Sequence, residues 1–312
     1  MVLSELDGLK PEPEVAVIIN VATKYVTTLA LLSALRYARI PTVLIDCESR
    51  DGSFDWFRDL LKTHDFHLLS AKLRPHGETL DWIFRRIKAD RVLLVDSDAE
   101  MLNDAMFVQM RRMLDASPLV YGGGFLHQAH WRDRHYFGAE PIESGIGYYM
   151  ERPWIPFALF RTDAVRTALD AARTFMHRLV LNDIPQSAFL SRLLWRRYRL
   201  SFFRRHRLSM LDLFRRRIDG KKPSWISYDT GADLHEYLTK QRGMRFESVS
   251  ADFVPWSVTH FSGITRGSLH ADATDDAAKL DDVESLVRAR LLREYGIDVN
   301  AAAMTESSRG QG

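Results

Sequence analysis

The segment Arg91-Val-Leu-Leu-Val-Asp-Ser-Asp98 sets two carboxylates directly after an apolar run. Val92 to Val95 has the composition of a strand buried on both faces. The carboxyl end of such a strand opens into the crevice where open α/β sheets bind ligands. Unpaired there, Asp96 and Asp98 would repel each other and carry a desolvation cost. A divalent cation answers both problems, because hard Mg2+ or Mn2+ prefers oxygen ligands. Mg2+ is commonly held by one or two carboxylates together with substrate phosphates, so the pair points to a diphosphate partner. A bare Asp-x-Asp also admits a plainer reading, in which Asp98 caps the next helix and Asp96 pairs with an arginine.

The elements that must position this pair fit within 312 residues, enough for one large α/β domain or a domain plus a sub-domain. A hydrophobic content of 46% supports a full core, and a formal net charge of +2 argues against a general nucleic-acid binder. The one cysteine, Cys47, excludes an internal disulfide and a Cys-rich zinc site, which fits a reducing cytoplasm. The opening MVLSELDGLKPEPE lacks the apolar core of a signal peptide. No run of about 18 apolar residues is present to span a bilayer. The expectation is a cytoplasmic protein, soluble or peripheral at the inner membrane face.

Residues 1–14 read as a polar, extended lead-in. Val15 to Ile19 reads as a buried strand, followed by a turn over Asn20 to Lys24 and a helix over Thr27 to Ala38. A second strand, Thr42 to Ile45, ends in Asp46. Ser53 suggests an N-cap for a helix over Phe54 to Thr63. A short strand over Phe66 to Leu69 comes next. Leu80, Ile83, Phe84 and Ile87, at i, i+3, i+4 and i+7, then mark the helix before the Asp-x-Asp strand. A helix over Ala105 to Asp115 and a strand over Leu119 to Tyr121 continue the pattern. This alternation predicts a parallel, doubly wound sheet. Gly122 to Gly124 follows as a run that permits close approach to a ligand or forms a plain turn.

Residues 125–160 are rich in aromatics, His and Pro and read as a loop-heavy substrate region. A strand over Pro156 to Phe160 and a helix from Thr162 to Ala172 are expected within and after it. Residues 192–222 carry arginine clusters interleaved with bulky apolar side chains. Such a stretch suits an anionic membrane surface, a subunit interface in a homo-oligomer, or a helical pair packed on the sheet. No motif accompanies the charge, so a nucleic-acid partner is not expected. A helix over Ala232 to Gln241, stopped by Gly243, precedes Val258-Thr-His-Phe-Ser262. A final amphipathic helix runs over about Lys279 to Tyr295, with Leu280, Val283, Leu286, Val287 and Leu291 inward. Residues 301–312 read as a disordered tail.

Taken together, VAVIINVATKYVTTLALLSAL, Asp46 with Asp51-Gly-Ser53, His76-Gly-Glu-Thr-Leu-Asp81, Asp96-Ser97-Asp98 and the late His260 resemble the GT-A glycosyltransferases, in the branch similar to glycosyltransferase family 2. The resemblance covers roughly Val15 to Phe261. It implies a Rossmann-like nucleotide-diphospho-sugar transferase fold with a mostly parallel central sheet and a helical, Arg-rich insertion. Residues 15–265 would form the GT-A domain, with a nucleotide-sugar half at 15–124 and an acceptor half at 125–265. A helical segment at 266–300 would follow. The activity implied is metal-dependent transfer of a sugar from a nucleoside-diphosphate-sugar donor to a hydroxyl of a glycan, glycolipid or small molecule.

The resemblance also assigns residues. Asp98 would ligate Mn2+ or Mg2+ directly, and Asp96 would hold the ribose or the metal shell. His260 would be the third ligand through a neutral imidazole nitrogen. Asp46 would accept from a base N–H, and the backbone of Asn20, Val21 and Ala22 would line the base. Ser97, His76 and Asp81 complete the donor-side candidates. An inverting transfer needs a base for the acceptor hydroxyl. The family's usual late Glu-Asp pair is absent here, so Asp229 in Tyr-Asp-Thr-Gly is the candidate, with Asp183 second. Asp229 could equally serve only as a helix cap. Trp131, Tyr136, Trp154 and Trp225 could stack on sugar faces or simply fill core and lid positions.

Three other enzyme classes lack their signals. A sugar nucleotidyltransferase would carry a Gly-rich basic loop after the first strand, where this chain has Asn20-Val-Ala-Thr-Lys24. A dehydrogenase would show G-x-G-x-x-G there. An Asp-x-Asp phosphatase would place its motif on the first strand. A non-catalytic scaffold binding a membrane or partner through 192–222 is the alternative from another class.

Overall fold

The computed structural model describes residues 1–127, 146–149, 151–181, 225–261 and 274–299. In chain order the strands are β1 (Val2–Leu3), β2 (Glu12–Asn20), β3 (Thr42–Asp46), β4 (His67–Ser70), β5 (Ala89–Asp96), β6 (Ala99–Met101), β7 (Val120–His127), β8 (Ile146–Tyr149), β9 (Arg152–Arg161), β10 (Arg178–Leu181), β11 (Trp225–Tyr228), β12 (Arg245–Ser248) and β13 (Val258–His260). The helices that matter below are α1 (Lys24–Tyr37), α2 (Ser53–Leu60), α3 (His76–Arg86), α4 (Ala105–Ala116), α5 (Thr162–Asp170), α6 (Ala232–Glu236) and α7 (Thr274–Tyr295).

The central sheet has eight strands in the order β1-β4-β3-β2-β5-β9-β7-β12. All its pairings are parallel except those of β9, which runs antiparallel to both β5 and β7. This is the α/β architecture with a mostly parallel sheet that the alternating sequence pattern predicts. The chain steps outward from β2 through β3 to β4, then α3 carries it back to β5 on the other side of β2. The switch point therefore falls between β2 and β5, where Ile19 stands opposite Asp96. Ligand crevices form outside the carboxyl ends of strands at such points.

The apolar runs divide between two cores because successive strand residues face opposite ways. Ala16, Ile18, Leu93 and Val95 join the layer under α1, α2, α4 and α7. Val15, Val17, Val92 and Leu94 join the layer under α3, α5 and α6. Helix α1 is buried without a break from Val26 to Ala34. It lies between the sheet and α7, which covers its outer side with Val287 and Leu291. An all-round apolar helix needs such a double cover.

Several boundaries differ from the sequence reading. Residues 1–14 are no lead-in: β1 pairs parallel with β4, and Leu3, Leu6 and Leu9 are buried. Ser53 is the first residue of α2 rather than its cap; Gly52 precedes it at φ +77°, and Asp51 accepts from the Ser53 N–H at 3.1 Å. Gly122 to Gly124 lies inside β7, not beyond a strand end. A Cβ at Gly122 would meet the Phe246 ring at 2.9 Å, and one at Gly123 would meet Met110 Cα at 3.3 Å. The glycines let α4 and β12 pack closely, which removes the ligand-approach reading. On α7, Leu286 is exposed while Val287 and Leu291 face inward. Among the described residues no helix is long and apolar enough to cross a membrane.

Candidate functional site

Asp96 closes β5, a tight turn follows, and β6 begins right after Asp98. β6 pairs antiparallel with β13, setting His260 opposite Ala99. This ribbon brings His260 back to the end of β5. One ligand atom each from Asp96, Asp98 and His260 lies within 4.8 Å of the others. His260 Nε2 is 3.1 Å from Asp98 Oδ1. Burial, reinforced by the Asp98 charge, holds the Asp96 carboxyl above the usual carboxylate range, and His76 and His260 oppose the rise. His76, at the start of α3, is exposed and points Nε2 to within 3.8 Å of Asp96 Oδ1. Two hard carboxylate ligands and a borderline imidazole form a donor set that could hold a divalent cation. A cation at their centre would also relieve the repulsion between buried Asp98 and half-buried Asp96, so the residues fit the group. Trp154 packs its ring edge-on to His260, with centroids 5.5 Å apart and planes at 90°. Ser97 is buried within the turn.

Across the switch point, the turn after β2 is built by side chains rather than glycine. The Asn20 amide donates to Asp46 Oδ1 at 2.6 Å and to Ser49 Oγ at 3.0 Å. Its carbonyl accepts from Thr23 Oγ1 at 3.0 Å and Thr27 Oγ1 at 2.8 Å. Ala22 takes φ +50° and donates its N–H to Ser49 Oγ at 2.9 Å. Asp46 Oδ2 accepts from the Ser49 N–H at 3.3 Å. Asn20 and Asp46 thus tie the β2 and β3 loops into one rigid wall beside Val21. Arg74 was not among the sequence candidates. Its guanidinium lies 5.3 Å from the centroid of the Trp82 ring, and its buried Nη1 has no hydrogen-bond partner among the described residues. Its charge reaches the Cys47 thiol, which burial and Asp46 push up to about 12 against that pull. A basic residue directly before the α3 start was the available signal.

Asp81 sits elsewhere. Its carboxylate accepts from Thr174 Oγ1 and, at 2.8 Å, from the Phe175 N–H. Phe175 in turn accepts from the Gly231 N–H at 3.0 Å. Gly77 makes the approach possible, since a Cβ there would stand 2.6 Å from Met176 Cα. Asp233 holds the same segment from α6, accepting from Arg173 Nη1 and the Thr174 N–H, both at 3.3 Å. Through Phe175, Asp81 supports the loop before α6.

That loop carries Asp229. Its Oδ2 pairs with Arg152 Nη2 at 2.8 Å, and its Oδ1 accepts from the Thr230 N–H at 2.7 Å. The side chain does not cap α6; Gly231, at φ +83°, holds the cap position. Arg152 opens β9 opposite His127 at the end of β7, two residues before Trp154. Asp229 and the Asp96–Asp98–His260 group thus lie at the same edge of the sheet. Next to Arg152, Glu151 Oε1 accepts a hydrogen bond from His235 Nε2–H at 3.0 Å. Tyr121 therefore donates to His235 Nδ1, at 2.6 Å, since a carboxylate can only accept. Burial holds His235 below its ordinary range, with Glu151 opposing.

A charged cleft of about 550 Å³ lies at the opposite edge of the sheet, lined by Arg91, Arg161 and Arg166 among others. Arg161 and Arg166 donate to the last carbonyls of α4 and α3, so their charge serves helix ends. Asp183, Trp131, Tyr136 and the stretch 192–222 lie outside the described residues, as does the Trp225 side chain.

No protein-family model and no curated protein matches this sequence. Solved structures similar to it include the mannosyltransferase PcManGT from Pyrobaculum calidifontis, in complex with GDP-Man and Mn2+. Identity is 15%, the TM-score 0.39, and the match covers 52% of this chain and 47% of that one. Residues 1–349 of TarS from S. aureus match at 13% identity and TM-score 0.35, over 49% of this chain and 48% of that one. A 4-diphosphocytidyl-2C-methyl-D-erythritol synthase from Anaerococcus prevotii matches at 12% identity and TM-score 0.36, over 52% and 75%. The chain spans about half the length of the first two. Similarity at this level assigns no activity to the chain.

Proposed function

We propose that the protein is a metal-dependent glycosyltransferase that moves a sugar from a nucleoside-diphosphate-sugar donor to a hydroxyl acceptor. The observation that carries this is the Asp96–Asp98–His260 group at the switch point of a mostly parallel sheet. Bound there, Mn2+ or Mg2+ would supply Lewis-acid neutralisation of the charge on a leaving diphosphate. Asp98 and His260 hold the cation, and Asp96 completes its shell or binds the ribose. The Asn20–Asp46 wall and Val21 flank the nucleoside, and Arg74 adds positive charge near that wall. On the acceptor side Asp229 takes the hydroxyl proton as the new glycosidic bond forms. The anomeric carbon–oxygen bond to the diphosphate breaks, its electron pair leaves with the nucleotide, and configuration inverts. Arg152 fixes the Asp229 carboxylate for that step.

The test is a melting-point panel of UDP, GDP, dTDP, CDP and ADP, each with and without Mn2+. A ligand at 100 times its Kd stabilises by about 2.7 kcal/mol, enough to shift the midpoint visibly. A shift with one diphosphate that needs the metal is expected. Release of pyrophosphate from a nucleoside triphosphate and a sugar phosphate would instead identify a nucleotidyltransferase. No metal-dependent shift with any diphosphate would favour a non-catalytic scaffold.

A further inference from the structure

We propose that Arg290, on the C-terminal helix α7, is a positioning residue for the metal ligands, because one guanidinium pairs with Glu100 of β6, two residues after Asp98, and faces Phe261, the residue after His260. The inference rests on the metal-site reading above and extends it to a helix outside the sheet.

β6 and β13 pair over only three residues each, with Val258, Thr259 and His260 opposite Met101, Glu100 and Ala99. A lone two-stranded ribbon is marginal in water. The ends of this one are closed by main-chain bonds from Phe261 N to Asp98 O and from Leu102 N to Ser257 O, both 2.8 Å. On one side α1 grips it, since Ser33 Oγ accepts from the Met101 N–H at 3.0 Å. Arg290 is the contact from α7. It forms an ion pair with Glu100, the central and buried residue of β6. The same guanidinium stands 6.0 Å from the centroid of Phe261, the residue after His260. It therefore contacts β6 directly and lies over the residue that follows β13, two residues from Asp98 and one from His260.

Helix α7 is itself fixed, so it can act as a template. Val287 and Leu291 are buried against the core, and Arg36 of α1 donates to Glu294 O at 2.5 Å and stacks on Tyr295. A buried ion pair adds little stability over apolar residues of the same size, whereas it can specify one arrangement. At the Glu100 position that arrangement is the separation of Asp98 from His260.

The test is Mn2+ affinity, read by electron paramagnetic resonance of the free ion, together with melting curves. The set is wild type, Asp98→Asn, Arg290→Met, Arg290→Lys and the double variant Glu100→Gln/Arg290→Met. Charge alone would make Arg290→Met bind Mn2+ more tightly, because a cation near the site is gone. The positioning role makes it bind about tenfold more weakly or worse, as loss of an outer-shell partner does. The double variant leaves no orphaned charge and is expected to regain melting temperature without regaining Mn2+ affinity. Arg290→Lys keeps a charge for Glu100 but loses the planar fork, and it too should bind Mn2+ more weakly while folded. Wild-type affinity in a folded double variant or in Arg290→Lys overturns the proposal. If wild type itself binds no Mn2+, or Asp98→Asn binds as wild type does, the metal-site reading fails and this proposal falls with it. That outcome is distinct from one in which only the Arg290 variants behave normally.

Discussion

His260 Nε2 lies 3.1 Å from Asp98 Oδ1 although the two residues come from distant parts of the chain. The β6–β13 ribbon makes them neighbours and leaves Asp96 close enough to complete a three-ligand group. Asp98→Asn should therefore abolish Mn2+-dependent nucleotide binding. The metal-free protein should keep its melting temperature or gain slightly, because one of two facing carboxylates is gone. Calorimetric titration with Mn2+ beside a melting curve checks both halves. Unchanged Mn2+ affinity would remove the triad as a metal site.

In the proposed mechanism Asp229 acts apart from the metal. Asp229→Asn keeps the shape beside Arg152 but cannot accept the acceptor proton. The variant should retain the metal-dependent diphosphate shift and lose sugar transfer by roughly 10²-fold or more, the usual range for a general base. The rate of nucleoside diphosphate release in the presence of acceptor reads this directly. Full activity would place the base elsewhere, with Asp183 the next candidate.

Much of this arrangement was legible in the chain because it is local. The Val92–Val95 run is apolar without alternation because β5 is covered on both faces, and the Asp-x-Asp at its end is a contiguous signal. The strand–helix rhythm from β2 to α4 was legible for the same reason. Contacts made only in three dimensions were not. Asn20 looks like a turn residue, yet its amide welds two loops through Asp46 and Ser49. Asp81 lies near the His76 start of α3, but its carboxylate is held by Thr174 and Phe175. The glycines of β7 answer to Phe246 and Met110, which no local pattern reveals. Leu3, Leu6 and Leu9 hid in a polar context, and their burial depends on β1 pairing with β4.

Acid should weaken the protein through His127. Burial, helped by Arg152 and opposed by Asp229, moves its imidazole from 6.5 down to about 4. Between those values the unfolded chain takes the proton and the folded one does not. The slope of unfolding free energy with pH is then positive. The contribution of His127 is complete above its unfolded value and is lost as pH falls through 6.5 toward 4. Denaturant midpoints measured across that range should fall for wild type. They should fall less steeply for His127→Gln, which carries no titrating ring. Parallel slopes for the two proteins would mean that His127 titrates normally.

The last relationship runs from α3 to the loop that carries Asp229. Gly77 lets α3 approach Met176, Asp81 holds Phe175, and Phe175 O receives the Gly231 N–H two residues after Asp229. Asp81→Asn leaves one of two donors facing an amide nitrogen, which should cost about 1–3 kcal/mol. Gly77→Ala forces a backbone shift of similar cost, about 1–3 kcal/mol. Both changes should act on transfer rather than on the donor. Nucleoside diphosphate and Mn2+ affinities should stay near wild type, while kcat or the acceptor KM worsens as Asp229 is displaced. A selective loss of nucleotide affinity in Asp81→Asn would instead return Asp81 to the donor pocket, and steady-state kinetics with donor and acceptor varied separately distinguishes the two.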